Sequence, residues 1–139
     1  MSTMLTVPAE MVEHLRSGLH SGIGDAAETI AQVVGEPDRE QHSEWYREPL
    51  AHFDRVRALL DMIGWGATDP AAEVSVDLRE HRHAVLDALG VAMIVADADL
   101  KAAETVSTAN GKATIRRVLA LGEFAAAVEA KADALGERP

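Results

Sequence analysis

Apolar residues recur at intervals of three and four along most of the chain, and this spacing sets the fold class. Residues three or four apart share one face of a helix, so each such series predicts an amphipathic helix with one buried side. The first series is Val12, Leu15, Leu19, Ile23, Ala26, Ile30 and Val33, and the last is Ile115, Val118, Leu121, Ala125, Val128, Ala132 and Leu135. The pattern therefore predicts helices rather than a sheet.

Glycine, proline and asparagine divide the chain into four segments. We expect an all-α fold, an antiparallel bundle of four long helices at about 8–34, 38–63, 77–108 and 112–135, with a loop at 64–76. Pro49 is expected either to kink the second helix or to begin a new one. Val74 to Val76 can form a short extended stretch, for which the sequence offers no obvious pairing partner.

The composition fits one helical domain. The chain has 139 residues, 47% of them hydrophobic and only 4% aromatic, which predicts a single helical-bundle domain over residues 1–139. It has no cysteine, which excludes disulfides, thiolate metal sites and cysteine nucleophiles.

The N-terminus lacks a signal-peptide pattern, and the longest uncharged apolar run, 88–96, falls short of the roughly 20 residues that span a bilayer. We therefore expect a cytoplasmic protein with no membrane contact.

The net charge is strongly negative. A formal charge of −10 argues against nucleic acid as a partner, since proteins bind its phosphates with Lys and Arg. It also argues against an anionic membrane surface.

Three glycines, Gly18, Gly22 and Gly24, lie in the first predicted helix, and its apolar series continues past all of them. Gly18 and Gly22 lie together at the edge of the apolar face, although each costs up to about 1 kcal/mol of helix propensity relative to Ala. We interpret them as positions where a neighbouring helix packs closely.

The third predicted helix is apolar on every side between Ala88 and Ala96. Val91, Ile94 and Val95 point away from the face that carries Leu89. A helix that is apolar all round needs a second covering surface. The sequence therefore predicts a homodimer, or another protein partner, bound through Val91, Ile94 and Val95.

The run Leu78 to His83 contains a Glu-x-x-His pair, Glu80 and His83, of the kind that di-metal bundles place on two helices. At 100° per residue both side chains point away from the core. Asp77 and Glu80 are better interpreted as a capping box that begins the third helix.

A second set of residues is the better candidate for a metal site. His52 lies within the apolar face of the second helix with Glu48 one turn before it, and His81 and His20 border the faces of their own helices. These four side chains converge if the helices dock suitably, and carboxylate and imidazole bind divalent transition metals. The alternative is a half-buried His52 hydrogen-bonded to Glu48, with the other histidines at the surface.

Residues 44–60, EWYREPLAHFDRVRALL, resemble the second helix of the DinB-like metal-binding four-helix bundles, with Trp45 seven residues before His52. The resemblance implies one metal ligand from this helix and two from a later His-x-x-x-His pair. In this chain the later pair is His81 and His83, two residues apart, which a helix cannot aim at one ion.

Two functions remain open. The first is a non-catalytic helical-bundle protein that acts through self-association or protein–protein interaction and needs no cofactor. The alternative is a metal- or small-ligand-binding four-helix bundle, with or without enzymatic activity, that uses Glu48, His52, His81 and His20. No serine with a base and an orienting group is evident, so the sequence predicts no catalytic residue.

Overall fold

The computed structural model of the chain describes residues 3–35, 44–66, 70–103 and 108–136. These ranges are mostly helical, with four helices and one small two-stranded sheet. The elements in chain order are β1 (Met4–Val7), α1 (Ala9–Val34), α2 (Glu44–Ile63), β2 (Val74–Asp77), α3 (Leu78–Ala103) and α4 (Thr108–Ala134). In the described part, no helix is both long and apolar enough to cross a membrane.

The mostly helical fold agrees with the all-α prediction, but the small sheet was not predicted, and β2 replaces the end of the predicted loop at 64–76. β1 and β2 pair antiparallel, with Leu5 opposite Val76 and Val7 opposite Val74. Leu5, Val7 and Val76 are buried, whereas alternate residues are exposed, as expected for a ribbon with one face on the core. The sequence did not reveal the pairing because about 70 residues separate two strands of only four residues each.

The start of α4 differs from the prediction, and the structure decides against one of the two alternatives for Pro49. α4 begins at Thr108 and runs through Asn110 and Gly111, which were predicted to separate two helices. Both residues lie in its first turn, where backbone N–H groups have no partner inside the helix, so a poor helix former costs little there. α2 runs through Pro49 without a break, so Pro49 does not begin a new helix. The predicted segment 38–43 lies outside the described residues, as do 104–107.

Contacts between helices show which neighbours run in opposite directions. Arg16 on α1 reaches Gly64 at the end of α2, while Gly22, further along α1, faces His52 near the beginning of α2. α1 and α2 are therefore antiparallel. In the second pair, Arg82 near the start of α3 contacts the carbonyl of Gly136, just after α4, so these helices are also antiparallel.

α1 and α3 occupy the centre of the structure. α1 packs against α2 and α3, and α3 also packs against α4, whereas α2 and α4 barely touch in the described ranges. α1 and α3 approach each other closely at Gly18, where a Cβ would clash with the backbone of Ala88 on α3. The core between these elements is formed by the buried side chains of Val12, Leu15, Leu19, Val56, Leu59, Leu60, Val85, Leu89, Leu121 and Val128.

Candidate functional site

A groove of about 380 Å³ opens to the surface between α1, α2 and α3. α1 contributes Gly18, Leu19, Gly22 and Asp25; α2 contributes His52 and Val56; α3 contributes Ala84, Leu86, Asp87, Ala88, Gly90, Val91 and Ile94. Most of this lining is apolar, with one imidazole and two carboxylates among it. Such a surface can hold an apolar group and, beside it, a positive charge or a hydrogen-bond donor.

Gly22 allows His52 to sit in the wall of this groove. A Cβ at Gly22 would lie 3.2 Å from Nε2 of His52 and 3.4 Å from Cγ2 of Val56. The side chain of His52 therefore packs over the backbone of α1 where that helix has no side chain of its own. This is the kind of close approach for which the sequence analysis proposed the two glycines.

Glu48, the predicted partner of His52, is held by Arg55. Nη2 of Arg55 donates to the Glu48 carboxylate over 2.8 Å. This hydrogen bond and the positive charge of Arg55 lower the pKa of the Glu48 carboxyl, and the charges of His52 and His83 lower it by smaller amounts. The carboxylate is thus kept ionised near two imidazoles, but its direct partner is a guanidinium.

The two remaining candidate ligands have separate partners. His20, on α1, lies beside the C-terminal end of α2. Its Nε2 is 2.7 Å from the carbonyl oxygen of Trp65, and the centre of its ring is 5.7 Å from that of the Trp65 ring. His81 is mostly buried, with its Nε2 3.8 Å from a carboxylate oxygen of Glu80. Of the four predicted ligands, only His52 lines the groove.

The predicted convergence of Glu48, His52, His81 and His20 is not found. Within the residues that the structure describes, no three His, Asp or Glu side chains are grouped so that they could hold a metal ion. The helical wheel gave the direction of each side chain on its own helix, and His52 does line a groove. The wheel could not give the axial position at which each helix packs against its neighbour.

The start of α3 is a capped helix end. The Asp77 carboxylate accepts the backbone N–H of Arg79 over 2.9 Å, as an N-cap residue does. Hydrogen bonds from Thr3 and from this N–H lower the pKa of the Asp77 carboxyl. The backbone leaves helical values at His81, which has φ −111° and ψ 15°. Glu80 and His83 are exposed, in agreement with the helical wheel.

The predicted interface residues divide between two sides of α3. Ile94 is 72% exposed and Val95 is 48% exposed, while Val91 is half-buried. Val91 and Ile94 line the groove toward α1 and α2, whereas Val95 lines a smaller cleft with Thr114 of α4. Two of the three side chains, Ile94 and Val95, are therefore large apolar groups that the described chain leaves partly exposed.

A line of five exposed residues runs along α3 and is here called the α3 stripe; three of them, Asp87, Gly90 and Ile94, also line the groove. Its members are Asp87, Gly90, Ile94, Ala98 and Lys101. Around the position of a Cβ on Gly90, no other part of the described structure lies within 4 Å, so there is open space beside Ile94. Lys101 forms an exposed ion pair with Asp97 over 3.2 Å.

Sequence reasoning missed three features of these surfaces. Asp25 and Asp87 line the groove, although in the sequence each resembles an ordinary surface carboxylate. For Asp25 a signal was present, because a residue three positions after Gly22 lies on the same side of the helix as Gly22. Ile115, assigned to the buried face of α4, is exposed together with Leu119. Six residues before buried Leu121, Ile115 lies about 120° from it around the helix.

The chain matches no protein-family model, no curated protein and no solved structure, so the resemblance of residues 44–60 to the DinB-like bundles stays an expectation.

Proposed function

We propose that this chain is a non-catalytic helical protein that acts through self-association, with the outward side of α3 as its contact surface. The observation that carries the proposal is Ile94, a large apolar side chain that is 72% exposed in the middle of a central helix. Burying such a side chain contributes about 1.5–3 kcal/mol. Exposed Val95 adjoins it, and apolar surface of this kind is often a protein contact site.

The proposal includes the arrangement of the four helices as one antiparallel bundle. The opposite directions of α1 and α2, and of α3 and α4, support it. In this arrangement α3 packs mainly against α1 and α4 and less closely against α2, and its exposed side around Ile94 remains for a partner.

Sedimentation velocity and light scattering over a wide concentration range test the proposal. We expect the wild-type chain to form a dimer and Ile94→Asp to shift it to the monomer with an unchanged circular dichroism spectrum. Leu119→Asp is the matched control, since Leu119 is 60% exposed but lies on α4. A wild-type chain that stays monomeric at every concentration contradicts self-association, and dissociation by Leu119→Asp alone would move the contact surface to α4.

The second candidate function is binding of a small ligand in the groove at His52, or of a divalent transition metal that takes no more than two protein ligands there, since no three His, Asp or Glu side chains of the described residues are grouped to hold a metal ion. The support for this candidate is that Nε2 of His52 lies over Gly22 in a groove that Asp25 and Asp87 also line. The volume of about 380 Å³ is in the range of small-molecule sites. Glu48, His81 and His20 are not part of this version of the site.

Titration calorimetry with Zn²⁺ and Ni²⁺, together with elemental analysis of the purified chain, tests the metal form of this candidate. Stoichiometric binding that His52→Ala abolishes and His83→Ala preserves would support it. Binding that survives His52→Ala, or no binding to the wild-type chain, would contradict it.

A further inference from the structure

We propose that two copies of this chain pair antiparallel along the α3 stripe, with the twofold axis passing beside Ile94. The proposal rests on the proposed self-association and adds the identity of the partner, the orientation of the two helices and the residues that meet.

The stripe has the spacing of a helix contact seam. Asp87, Ile94 and Lys101 follow one another at intervals of seven residues, and all three are exposed. Seven residues complete two helical turns to within about 20°, so the three side chains stay in line along α3. The line is about 21 Å long at 1.5 Å per residue.

The charges along the stripe are complementary only when the helices are antiparallel. A twofold axis beside Ile94 places each residue opposite the residue of the second copy that lies equally far from Ile94 in the other direction along the helix. Asp87, seven residues before Ile94, therefore faces the partner's Lys101, seven residues after it. The twofold symmetry produces this Asp–Lys pair twice. A parallel pair would instead place Asp87 against Asp87 and Lys101 against Lys101, which is repulsive.

The sizes of the stripe residues also fit this pairing. Gly90 and Ala98 lie four residues on either side of Ile94, so each faces the other across the axis. Small residues at both positions let the two helices approach while the Ile94 side chains meet between them. The open space beside Gly90 leaves room for the partner's side chains.

The charges of the stripe itself do not oppose pairing of two copies. The whole chain carries a charge of −10, which opposes self-association, whereas the stripe contains one Asp and one Lys and is neutral. Lys101 already pairs with Asp97 of its own chain, but both side chains are largely exposed, and exposed pairs contribute only about 0–1 kcal/mol. Lys101 can therefore be shared with the partner's Asp87.

Disulfide trapping tests the position of the axis. Because the chain has no cysteine, Ile94→Cys introduces a single thiol, and on the axis this thiol lies opposite its own copy. We expect mild oxidation of Ile94→Cys to give a covalent dimer. Leu119→Cys, comparably exposed on α4, is expected to stay largely monomeric under the same conditions. Equal cross-linking of the two variants would overturn the proposed axis.

Charge reversal tests the orientation. Asp87→Lys and Lys101→Glu should each raise the dimer dissociation constant about tenfold or more, because each turns two attractive pairs into two repulsive ones. An equimolar mixture of the two variants should form a heterodimer, since both of its pairs are again attractive. If the wild-type chain dimerises but the single variants dimerise equally well, or the mixture does not recover, the antiparallel pairing is wrong while self-association stands. A monomeric wild-type chain overturns both proposals.

Discussion

Arg16 on α1 donates a hydrogen bond from its Nε to the carbonyl oxygen of Gly64, the residue that follows α2, over 2.9 Å. Its Nη2 donates to the carbonyl of Ile63, also over 2.9 Å, and the side chain is only 4% exposed. The last carbonyls of a helix have no partner inside it and carry partial negative charge. One buried cation thus caps α2 and ties it to α1. Arg82 donates to Gly136 after α4 in a similar way.

Replacing Arg16 should destabilise the chain strongly. We expect Arg16→Met to lower the free energy of unfolding by about 3 kcal/mol, because it removes hydrogen bonds from a charged donor and leaves buried carbonyls without one. Urea unfolding followed by circular dichroism measures the change. Arg57→Met is the control, since Arg57 forms an exposed ion pair with Asp61 at 3.9 Å, and should change the value by less than about 0.5 kcal/mol. Equal effects of the two variants would contradict the capping role.

Three glycines of α1 should respond to alanine in a graded way. Gly18→Ala should lower the free energy of unfolding by about 1–3 kcal/mol, because its Cβ meets the backbone of Ala88, which cannot move without separating α1 from α3. Gly24→Ala meets nothing within 4 Å and should raise the value by about 0.5–1 kcal/mol through helix propensity. Gly22→Ala, 3.2 Å from the side chain of His52, should fall between them. Thermal and urea unfolding give the order, and a stabilising Gly18→Ala would show that the helices do not touch there.

The helices were predictable because their signal is local. Intervals of three and four in apolar residues mark α1 to α4, and Gly64 ends α2 with a φ of 93°, in the left-handed region that favours glycine. The pairing of β1 with β2 was not predictable, because no local sequence pattern indicates which distant segment a short strand will contact. Four-residue strands such as Met4–Val7 become recognisable only once α1 and α3 bring them side by side.

In the groove, too, the position of a side chain on its own helix was predictable, whereas its neighbours on other helices were not. The position of His52 on the apolar side of α2 followed from its own helix. Its surroundings depend on docking, which brings Asp25 and Asp87 near it and leaves His20 beside Trp65 instead. Glu48 was a reasonable ligand from its spacing of four, but Arg55, seven residues later, takes its carboxylate.

The small sheet should contribute to stability through one face only. Val76 of β2 is fully buried opposite Leu5, so Val76→Ala should lower the free energy of unfolding by about 2 kcal/mol through lost apolar contact and the cavity left behind. Ser75→Ala, on the exposed face of the same strand, should change it by less than about 0.5 kcal/mol. Urea unfolding of both variants measures the contrast. Similar small effects would mean that the ribbon does not pack on the core.

The cap at Asp77 should make stability depend on pH in the acid range. Hydrogen bonds from the Thr3 hydroxyl and the Arg79 N–H lower the pKa of the Asp77 carboxyl in the folded chain, below an unfolded value of about 3.9. The unfolded chain therefore binds this proton more readily. The stabilisation is fully present above pH values of about 4 to 5, and it is lost as the pH falls through the lower folded pKa.

Urea unfolding at a series of pH values compares wild type with Asp77→Asn, which cannot gain or lose this proton. The stability advantage of the wild-type chain should be largest near neutral pH and should shrink as the pH falls below about 4. Thr3→Val keeps the carboxyl but removes the larger of the two hydrogen-bond contributions, so this variant should show a smaller loss on acidification than wild type. A wild-type advantage over Asp77→Asn that is constant with pH, or that grows in acid, would show that the carboxylate charge does not stabilise this helix end.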